Sequence, residues 1–196
     1  MRIAAALALV PIAYLLGTFP SAVMVARSRG VDIMAEGSGN PGASNVARVL
    51  GSRWGALVFV LDAVKGAAPA LVGLALDTRP GAYALIGAAV LGHMFPVTRR
   101  FRGGKGVATM GGAMLVLHVL TSLVLLVVWV VLRSATHKAS MASLAITIGL
   151  PIGIGIAGAP AWEIVTVVAL CALVLVRHLD NIKRLIGRRE LSANGS

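Results

Sequence analysis

Cysteines, aromatic residues and acidic residues are all scarce in this 196-residue chain. The single cysteine, Cys171, has no partner for an internal disulfide or for a thiolate metal site. Aromatic residues make up 5% of the chain, which is too few to interleave with the basic residues as base-stacking platforms. The net charge of +11, from 18 basic and 7 acidic residues, therefore does not indicate a nucleic-acid partner.

Apolar runs dominate what remains, because 58% of the residues are hydrophobic and only 13% are charged. A membrane-spanning helix needs about 20 apolar residues, and several runs approach that length. The predicted spans are 3–26, 55–76, 81–98, 141–157 and 162–176. The N-terminal run has one arginine and no small-residue cleavage site, so it is interpreted as a span and not as a signal peptide. We expect one all-α integral membrane domain over 1–196.

Most of the basic residues lie in three polar segments between these runs, at 27–53, 99–105 and 133–138, and in the tail at 177–189. The positive-inside rule places all four on the cytoplasmic side of the membrane. The run 107–132 must then cross the membrane an even number of times, as two short helices of about 13 residues that turn near His118, Thr121 and Ser122. The predicted topology has seven transmembrane helices, some of them short, with the N-terminus outside and the C-terminus cytoplasmic.

The segment 92–109, GHMFPVTRRFRGGKGVAT, is typical of an anion site and poorly suited to a core. Its glycines let backbone N–H groups approach a ligand, the next helix begins there with its positive dipole end, and Lys105 adds a full charge. His93 at the start of the segment is an amphipathic cap in the simpler interpretation, but we expect it to face the same cavity. The candidate phosphate-binding residues of this segment are His93, Gly103, Gly104, Lys105, Gly106 and Thr109.

Other polar segments are expected to meet this one at the cytoplasmic surface. The first loop, GSGNPGASN at 37–45, is rich in small donors and precedes Arg48, although a surface turn is the alternative. Ser140 and Ser143 either cap a helix or bind phosphate. The tail segment RHLDNIKRL either forms a basic helix on anionic lipid or contributes to the site. The candidates here are Ser38, Gly39, Asn40, Gly42, Asn45, Arg48, Ser140, Ser143, Arg177, His178 and Asn181.

Asp62 and Lys65 lie three residues apart inside the second predicted span. Ionisable groups within a span are costly and usually form pairs that face the protein interior. We expect an ion pair that supports the site from beneath, and a structural role competes with a catalytic one.

The motifs GSGNPGASN, Asp62-x-x-Lys65-Gly66, GHMFP with FRGGKGVAT, Ser140-x-x-Ser143 and RHLDNIKRL resemble those of a known family in order and spacing. These are the motifs of the bacterial acyl-phosphate-dependent glycerol-3-phosphate acyltransferases, the PlsY family. The resemblance covers nearly the whole chain. The segment HKASMAS departs from it, because His137 and Lys138 replace an expected arginine-tyrosine pair.

The resemblance implies an integral enzyme of phospholipid biosynthesis in the bacterial inner membrane. It would transfer a fatty acyl group from acyl phosphate to the 1-hydroxyl of sn-glycerol 3-phosphate, giving lysophosphatidic acid and inorganic phosphate. No metal, no cofactor and no acyl-CoA are implied, and we expect a monomer with membrane lipid beside the site. The implied catalytic residues are Ser38, Lys105, His178 and Asn181, and Arg48, Ser140 and Ser143 would bind phosphate.

The proton of the acceptor hydroxyl could go to His178, to His93 or to a substrate phosphate oxygen. The substrate route is preferred here because only Asp180, two residues from His178, lies near either histidine in sequence. A covalent acyl-serine at Ser38 is a minor alternative.

Two other protein classes fit less well. Acyl-CoA-dependent acyltransferases need an aspartate five residues after a histidine, but those positions hold Thr98, Leu123, Ala142 and Lys183. An organic-phosphate transporter should have repeated halves and a site near the membrane midplane. The polar motifs here all lie toward one face.

Overall fold

The chain folds into eleven α-helices, with no strand, over residues 2–193, the range that this computed structural model describes. The all-α prediction is confirmed. The helices are α1 (Arg2–Ala8), α2 (Val10–Gly17), α3 (Ser21–Arg27), α4 (Ala43–Leu50), α5 (Ser52–Ala75), α6 (Arg79–Met94), α7 (Val107–Leu117), α8 (Val119–Thr136), α9 (Ala139–Ile156), α10 (Ala161–Arg177) and α11 (Leu179–Ile186).

Five segments of the described chain are long and apolar enough to cross a membrane, namely Val10–Arg27, α5, the segment Arg79–Arg99, α8 and α9. A sixth is obtained if α10 and α11, which meet at an angle of 58°, are taken as one broken span. The helix α7 is apolar but only 11 residues long. Length and composition therefore support five or six spans.

The first predicted span, 3–26, is not one continuous helix. The structure divides it into α1, α2 and α3, with breaks at Leu9 and between Gly17 and Ser21. Pro11 follows the first break and Pro20 lies at the end of the second, and proline has no N–H to continue the hydrogen bonding of a preceding helix. The expectation of a single helix here was wrong for this reason.

The run 107–132 is broken at His118, close to where the turn was predicted. His118 has φ −139° and ψ 64°, outside the helical region, and the two helices beside it have 11 and 18 residues rather than about 13 each. Its ring lies 2.8 Å from the hydroxyl of Tyr83 and 3.1 Å from the carboxylate of Glu163. These contacts with α6 and α10 hold the break in place.

Glu163 is the centre of a buried cluster at this end of the bundle. Its carboxylate accepts two hydrogen bonds of 2.7 Å from the guanidinium of Arg79 and one of 2.8 Å from Tyr83. The cluster thus joins the beginnings of α6 and α10 to the α7–α8 break. The sequence interpretation did not identify Glu163.

Close backbone contacts position the other end of the bundle. A methyl group on Gly66 of α5 would lie 1.8 Å from the backbone oxygen of Thr109 on α7, so only glycine allows this approach. A methyl group on Gly92 would lie 2.1 Å from the backbone oxygen of Tyr14, and this close contact brings α6 against α2. As a result, Asp62, Lys65 and His93 lie beside the loop that precedes α7.

Candidate active site

The site consists of two adjoining compartments, each of about 230 Å³. The first, here called the apolar groove, runs between α7, α8 and α9, and its apolar part is lined by Phe59, Met114, Leu115, Leu125, Leu126 and Leu150. The second, here called the polar recess, is lined by residues that include Gly39, Arg102, Gly103, Arg177, Asp180 and Arg184. Ser38, Asn40, Lys105 and Asn181 line both compartments. These four residues therefore mark where the compartments meet.

Lys105 lies at this boundary and donates a hydrogen bond from Nζ to the side-chain oxygen of Asn181. Burial lowers the pKa of Lys105 to about 8, although the Glu190 carboxylate raises it in part. The lysine follows Gly103 and Gly104, and Gly106 after it has φ +84°, a conformation that glycine adopts without strain. This glycine allows the chain to turn directly into α7.

Asn45 organises the first loop from a fully buried position. Its side-chain oxygen accepts hydrogen bonds from the Ser38 backbone N–H at 2.9 Å and from Arg48 at 3.1 Å. Its amide group donates to the backbone oxygens of Ile33 and Glu36 at 3.2 and 2.9 Å. Asn45 thus orders the loop, from which Ser38 and Asn40 reach both compartments.

Glu190, which the sequence interpretation missed, lies among the predicted phosphate-binding residues. One carboxylate oxygen accepts from Ser140 at 2.8 Å and from Asn181 at 2.6 Å, and the other accepts from Arg184 at 3.0 Å. Burial alone would raise the pKa of Glu190, but these three hydrogen bonds outweigh it and hold the pKa below its ordinary value. The only available signal was one acidic residue among the cations of the tail.

Arg48 is also tied to the tail, through a 2.7 Å hydrogen bond from Nε to the backbone oxygen of Ser192. Burial lowers the pKa of Arg48, and Glu190 opposes that shift. The tail after α11 therefore folds back onto the site and contacts three predicted site residues, Arg48, Ser140 and Asn181.

The two serines of α9 face the apolar groove. No side chain caps the start of α9, so the helix-cap alternative does not describe Ser140 or Ser143. Ser140 donates to Glu190, and the hydroxyl of Ser143 accepts a 3.1 Å hydrogen bond from the indole N–H of Trp129. Trp129 thus connects α8 to the polar end of the groove.

The two candidate histidines have different surroundings. His178 is buried, and its Nδ1 lies 2.8 Å from the backbone oxygen of Val174. His93 is also buried, and its Nδ1 lies 3.8 Å from the carboxylate of Asp62. Of these two histidines, His93 is the one with a carboxylate near its ring, and that carboxylate belongs to Asp62, 31 residues away in sequence and on another helix.

Asp62 and Lys65 form a 2.6 Å ion pair behind the groove. The carboxylate also accepts from the hydroxyl of Ser21 at 2.7 Å, and Lys65 donates to the backbone oxygen of Phe19 at 2.6 Å. Both charges are buried, and both are hydrogen-bonded. The pair joins α5 to the residues around the α2–α3 break.

The remaining candidates divide by position. Gly42 lines the apolar groove with Asn45, Arg48 and His93. Thr109 is fully buried against α5, has an unpaired hydroxyl and lines neither compartment. Gly104 and Lys65 also lie behind the compartment walls. Thr109, Gly104 and Lys65 therefore do not reach the surface of either compartment.

Comparisons with known proteins agree with this architecture. The family model described as glycerol-3-phosphate acyltransferase matches residues 7–188. The chain is 39% identical over 188 residues to the glycerol-3-phosphate acyltransferase of Aquifex aeolicus, covering 94% of this chain and 97% of that protein. It is 42% identical over 185 residues to that of Shewanella halifaxensis, covering 91% of this chain and 89% of the relative.

Two solved structures also match. Both are crystal structures of PlsY (YgiH), an integral membrane glycerol 3-phosphate acyltransferase, one in its glycerol 3-phosphate form and one in its lysophosphatidic acid form. Their TM-scores are 0.92 and 0.89, each at 38% identity over 96% of this chain and 95% of the other.

Proposed function

The chain belongs to the glycerol-3-phosphate acyltransferase family, and we propose that it transfers a fatty acyl group from acyl phosphate to the 1-hydroxyl of sn-glycerol 3-phosphate. The products are lysophosphatidic acid and inorganic phosphate. The observation that carries this proposal is the meeting of an apolar compartment with a basic one at Ser38, Asn40, Lys105 and Asn181.

The two compartments suit the two substrates. The apolar groove offers hydrocarbon contacts for an acyl chain, and the polar recess offers Arg102, Arg177 and Arg184 to a small dianion. The crystal structures of the relative contain glycerol 3-phosphate in one case and lysophosphatidic acid in the other, which are the acceptor and the product of this reaction.

The chemistry needs positioning and charge stabilisation more than covalent catalysis. The acceptor hydroxyl oxygen attacks the acyl carbonyl carbon, the bond from that carbon to the phosphate oxygen breaks, and the phosphate leaves with the bonding electrons. Lys105 lies at the boundary of the compartments, where negative charge develops on the carbonyl oxygen and on the leaving phosphate.

The acceptor proton goes to a substrate phosphate oxygen in the route that we favour. Phosphate monoesters have a second pKa near 6, similar to that of histidine, so this oxygen is a competent base near neutral pH. His178 is the alternative, because a hydrogen bond from Nδ1 to the Val174 carbonyl would leave Nε2 free to accept. No carboxylate contacts its ring, so nothing in the described chain would stabilise its cation as an aspartate does in a catalytic triad.

The acyl chain enters the groove sideways from the bilayer. Phe59, Leu115 and Leu126, on α5, α7 and α8, line the groove and are 39%, 42% and 42% exposed. Apolar side chains that are both cavity-lining and exposed indicate an opening at that side.

The proposed topology has seven membrane helices in the bacterial inner membrane, with the site on the cytoplasmic face of a monomer. It counts α7 as a short span in addition to the five apolar segments and the α10–α11 pair. The break at His118 supports this count, because two helices return the chain to the side on which the basic segments 99–105 and 133–138 both lie.

The donor can be tested directly with purified protein in detergent. We expect palmitoyl phosphate and glycerol 3-phosphate to give lysophosphatidic acid and phosphate without added Mg²⁺, and palmitoyl-CoA to give no product. Turnover with the thioester alone would overturn the proposed donor.

A further inference from the structure

Gly103 and Gly104 are held by two residues that flank the turn in space, His93 and Arg177. The backbone N–H of Gly104 donates to the backbone oxygen of His93 at 3.1 Å. The guanidinium of Arg177 donates to the backbone oxygen of Gly103 at 2.7 Å and to that of Gly104 at 3.2 Å. The turn before Lys105 is therefore fixed through one N–H group and two carbonyls.

The His93 ring occupies the space where a side chain at position 104 would lie. A methyl group built on Gly104 would be 2.2 Å from Nε2 of His93, whereas one built on Gly103 would be 2.1 Å from its backbone oxygen. Neither glycine has a positive φ, so backbone conformation does not require glycine at these positions. Close packing against His93 does.

The ring itself is held in place. It is buried on α6, and its Nδ1 faces the Asp62 carboxylate at 3.8 Å, beyond hydrogen-bonding distance. That carboxylate is fixed by hydrogen bonds from Ser21 and Lys65. The ring therefore lies between the Asp62 carboxylate on one side and the Gly103-Gly104 turn on the other.

We propose that His93 and Arg177 are positioning residues, which hold the Gly103-Gly104 turn so that the ammonium group of Lys105 reaches Asn181 at the boundary of the two compartments. His93 acts through its ring and its backbone oxygen, and Arg177 through its two carbonyl contacts. The proposal deepens the proposed function and rests on it for the role of Lys105. Small displacements of a positioned group cost large factors in rate.

The test is a pair of double-mutant cycles, one in which the new methyl group meets the His93 ring and one in which it meets backbone atoms of His93 and Met94. Gly104→Ala collides with the ring, so His93→Ala should make room for the new methyl group. Gly103→Ala collides with the backbone oxygen, which His93→Ala leaves in place. Gly87→Ala, also in α6, is the neutral control because a methyl group there meets nothing within 4 Å.

We expect Gly104→Ala to lower kcat/KM at least tenfold and the double variant His93→Ala/Gly104→Ala to remain within about threefold of His93→Ala alone. The double variant His93→Ala/Gly103→Ala should instead show a fold loss of kcat/KM at least equal to the product of the fold losses of the two single variants. If Gly104→Ala does not fold, recovery of folded protein in His93→Ala/Gly104→Ala is the expected result in place of recovered activity. Full activity of Gly104→Ala, or equal behaviour of the two cycles, would overturn the proposal.

A second readout does not depend on turnover. The ionisation of Lys105 can be followed by competitive acetylation with acetic anhydride from pH 7 to pH 11 and peptide mass spectrometry. Gly104→Ala should move the titration of Lys105 toward that of an exposed lysine, and the double variant should return it. Loss of turnover in His93→Ala without any change in this titration would show that His93 acts on the substrate, which overturns the positioning role.

Arg177→Lys tests the other contact. Lysine keeps the charge but cannot reproduce a fork of two N–H donors, so we expect it to rescue less than a tenth of the activity lost in Arg177→Ala. Full rescue by lysine would mean that only the charge matters. Failure of the wild-type protein to use acyl phosphate, with the Lys105 titration behaving as expected, would overturn the proposed function and leave the positioning intact.

Discussion

At the scale of single residues, the site is defined by the competition between burial and charge around Lys105. Burial lowers its pKa to about 8, and the nearby Glu190 carboxylate limits that shift. Glu190 is itself held ionised by hydrogen bonds from Ser140, Asn181 and Arg184, of which the first two are predicted site residues. The balance of charge at the boundary of the two compartments therefore depends on one buried carboxylate.

The first prediction is a loss of kcat/KM for glycerol 3-phosphate above pH 8. Lys105 is cationic below its pKa of about 8 and loses its charge above it, so binding of an anion should weaken by up to tenfold per pH unit. Initial rates at subsaturating glycerol 3-phosphate, from pH 6 to pH 10, measure this.

Glu190→Gln is the matched variant for this profile. It removes the charge that raises the pKa of Lys105, so the decline in kcat/KM should begin at a lower pH than in the wild type. A profile that is flat to pH 10, or one that Glu190→Gln leaves unchanged, would refute the assignment to Lys105.

At the scale of helices, one end of the bundle has a structural role and the other end carries the candidate site. The Arg79–Glu163 pair fixes one end, and the glycine turn and the tail form the site at the other. Arg79 and His93 are fourteen residues apart on α6, which is about 21 Å at the rise of an α-helix. Changes in the Glu163 cluster should therefore affect stability without affecting chemistry.

Glu163→Gln tests this separation. It removes a buried charge from its contacts with Arg79, Tyr83 and His118, and we expect a loss of about 1–3 kcal/mol in stability, seen as a lower melting temperature in detergent. At temperatures where the variant is folded, kcat/KM should stay within about twofold of the wild type. A large loss of kcat/KM with unchanged melting would contradict the structural role.

The far end of the apolar groove should limit acyl-chain length. Leu150 lines it ten residues after Ser140, about 15 Å along α9, and is 7% exposed. Leu150→Phe should lower kcat/KM for the longest acyl phosphates more than for short ones, because the larger ring shortens the groove. Ile152→Phe, two residues away and 58% exposed, is the control that should leave chain preference unchanged. Equal losses for all chain lengths would argue against this end of the groove.

At the scale of the whole molecule, the positions of the basic loops predicted a feature of the helix arrangement that hydropathy alone did not. It required a turn within 107–132, and the structure breaks that run at His118. Local sequence motifs likewise indicated Ser38, Lys105 and Asn181, which the fold brings together.

Contacts between distant parts of the chain were not predictable in this way. The approach of Asp62 to His93, the Arg79–Glu163 pair and the return of Glu190 to the site join residues that no periodicity connects. The breaks in the first span were missed because an overall apolar run concealed the effect of Pro11 and Pro20.

The proposed topology predicts that positions 77 and 133 lie on opposite sides of the membrane. Single cysteines at these positions, in a Cys171→Ala background, should react with a membrane-impermeant maleimide from opposite sides of oriented vesicles. Position 77 should be labelled from outside. Labelling of both positions from the same side would require an odd number of crossings between 107 and 132.

The central claim, that the two substrates meet at Lys105, is tested most directly by the turnover of purified Lys105→Ala with acyl phosphate and glycerol 3-phosphate. Lys183→Ala, an exposed lysine on α11, is the matched control, and size-exclusion chromatography checks that both variants are folded. We predict at least a thousandfold loss of kcat/KM for Lys105→Ala, about 4 kcal/mol of transition-state stabilisation, and near wild-type turnover for Lys183→Ala. A folded Lys105→Ala protein that keeps a tenth or more of wild-type turnover would contradict the account.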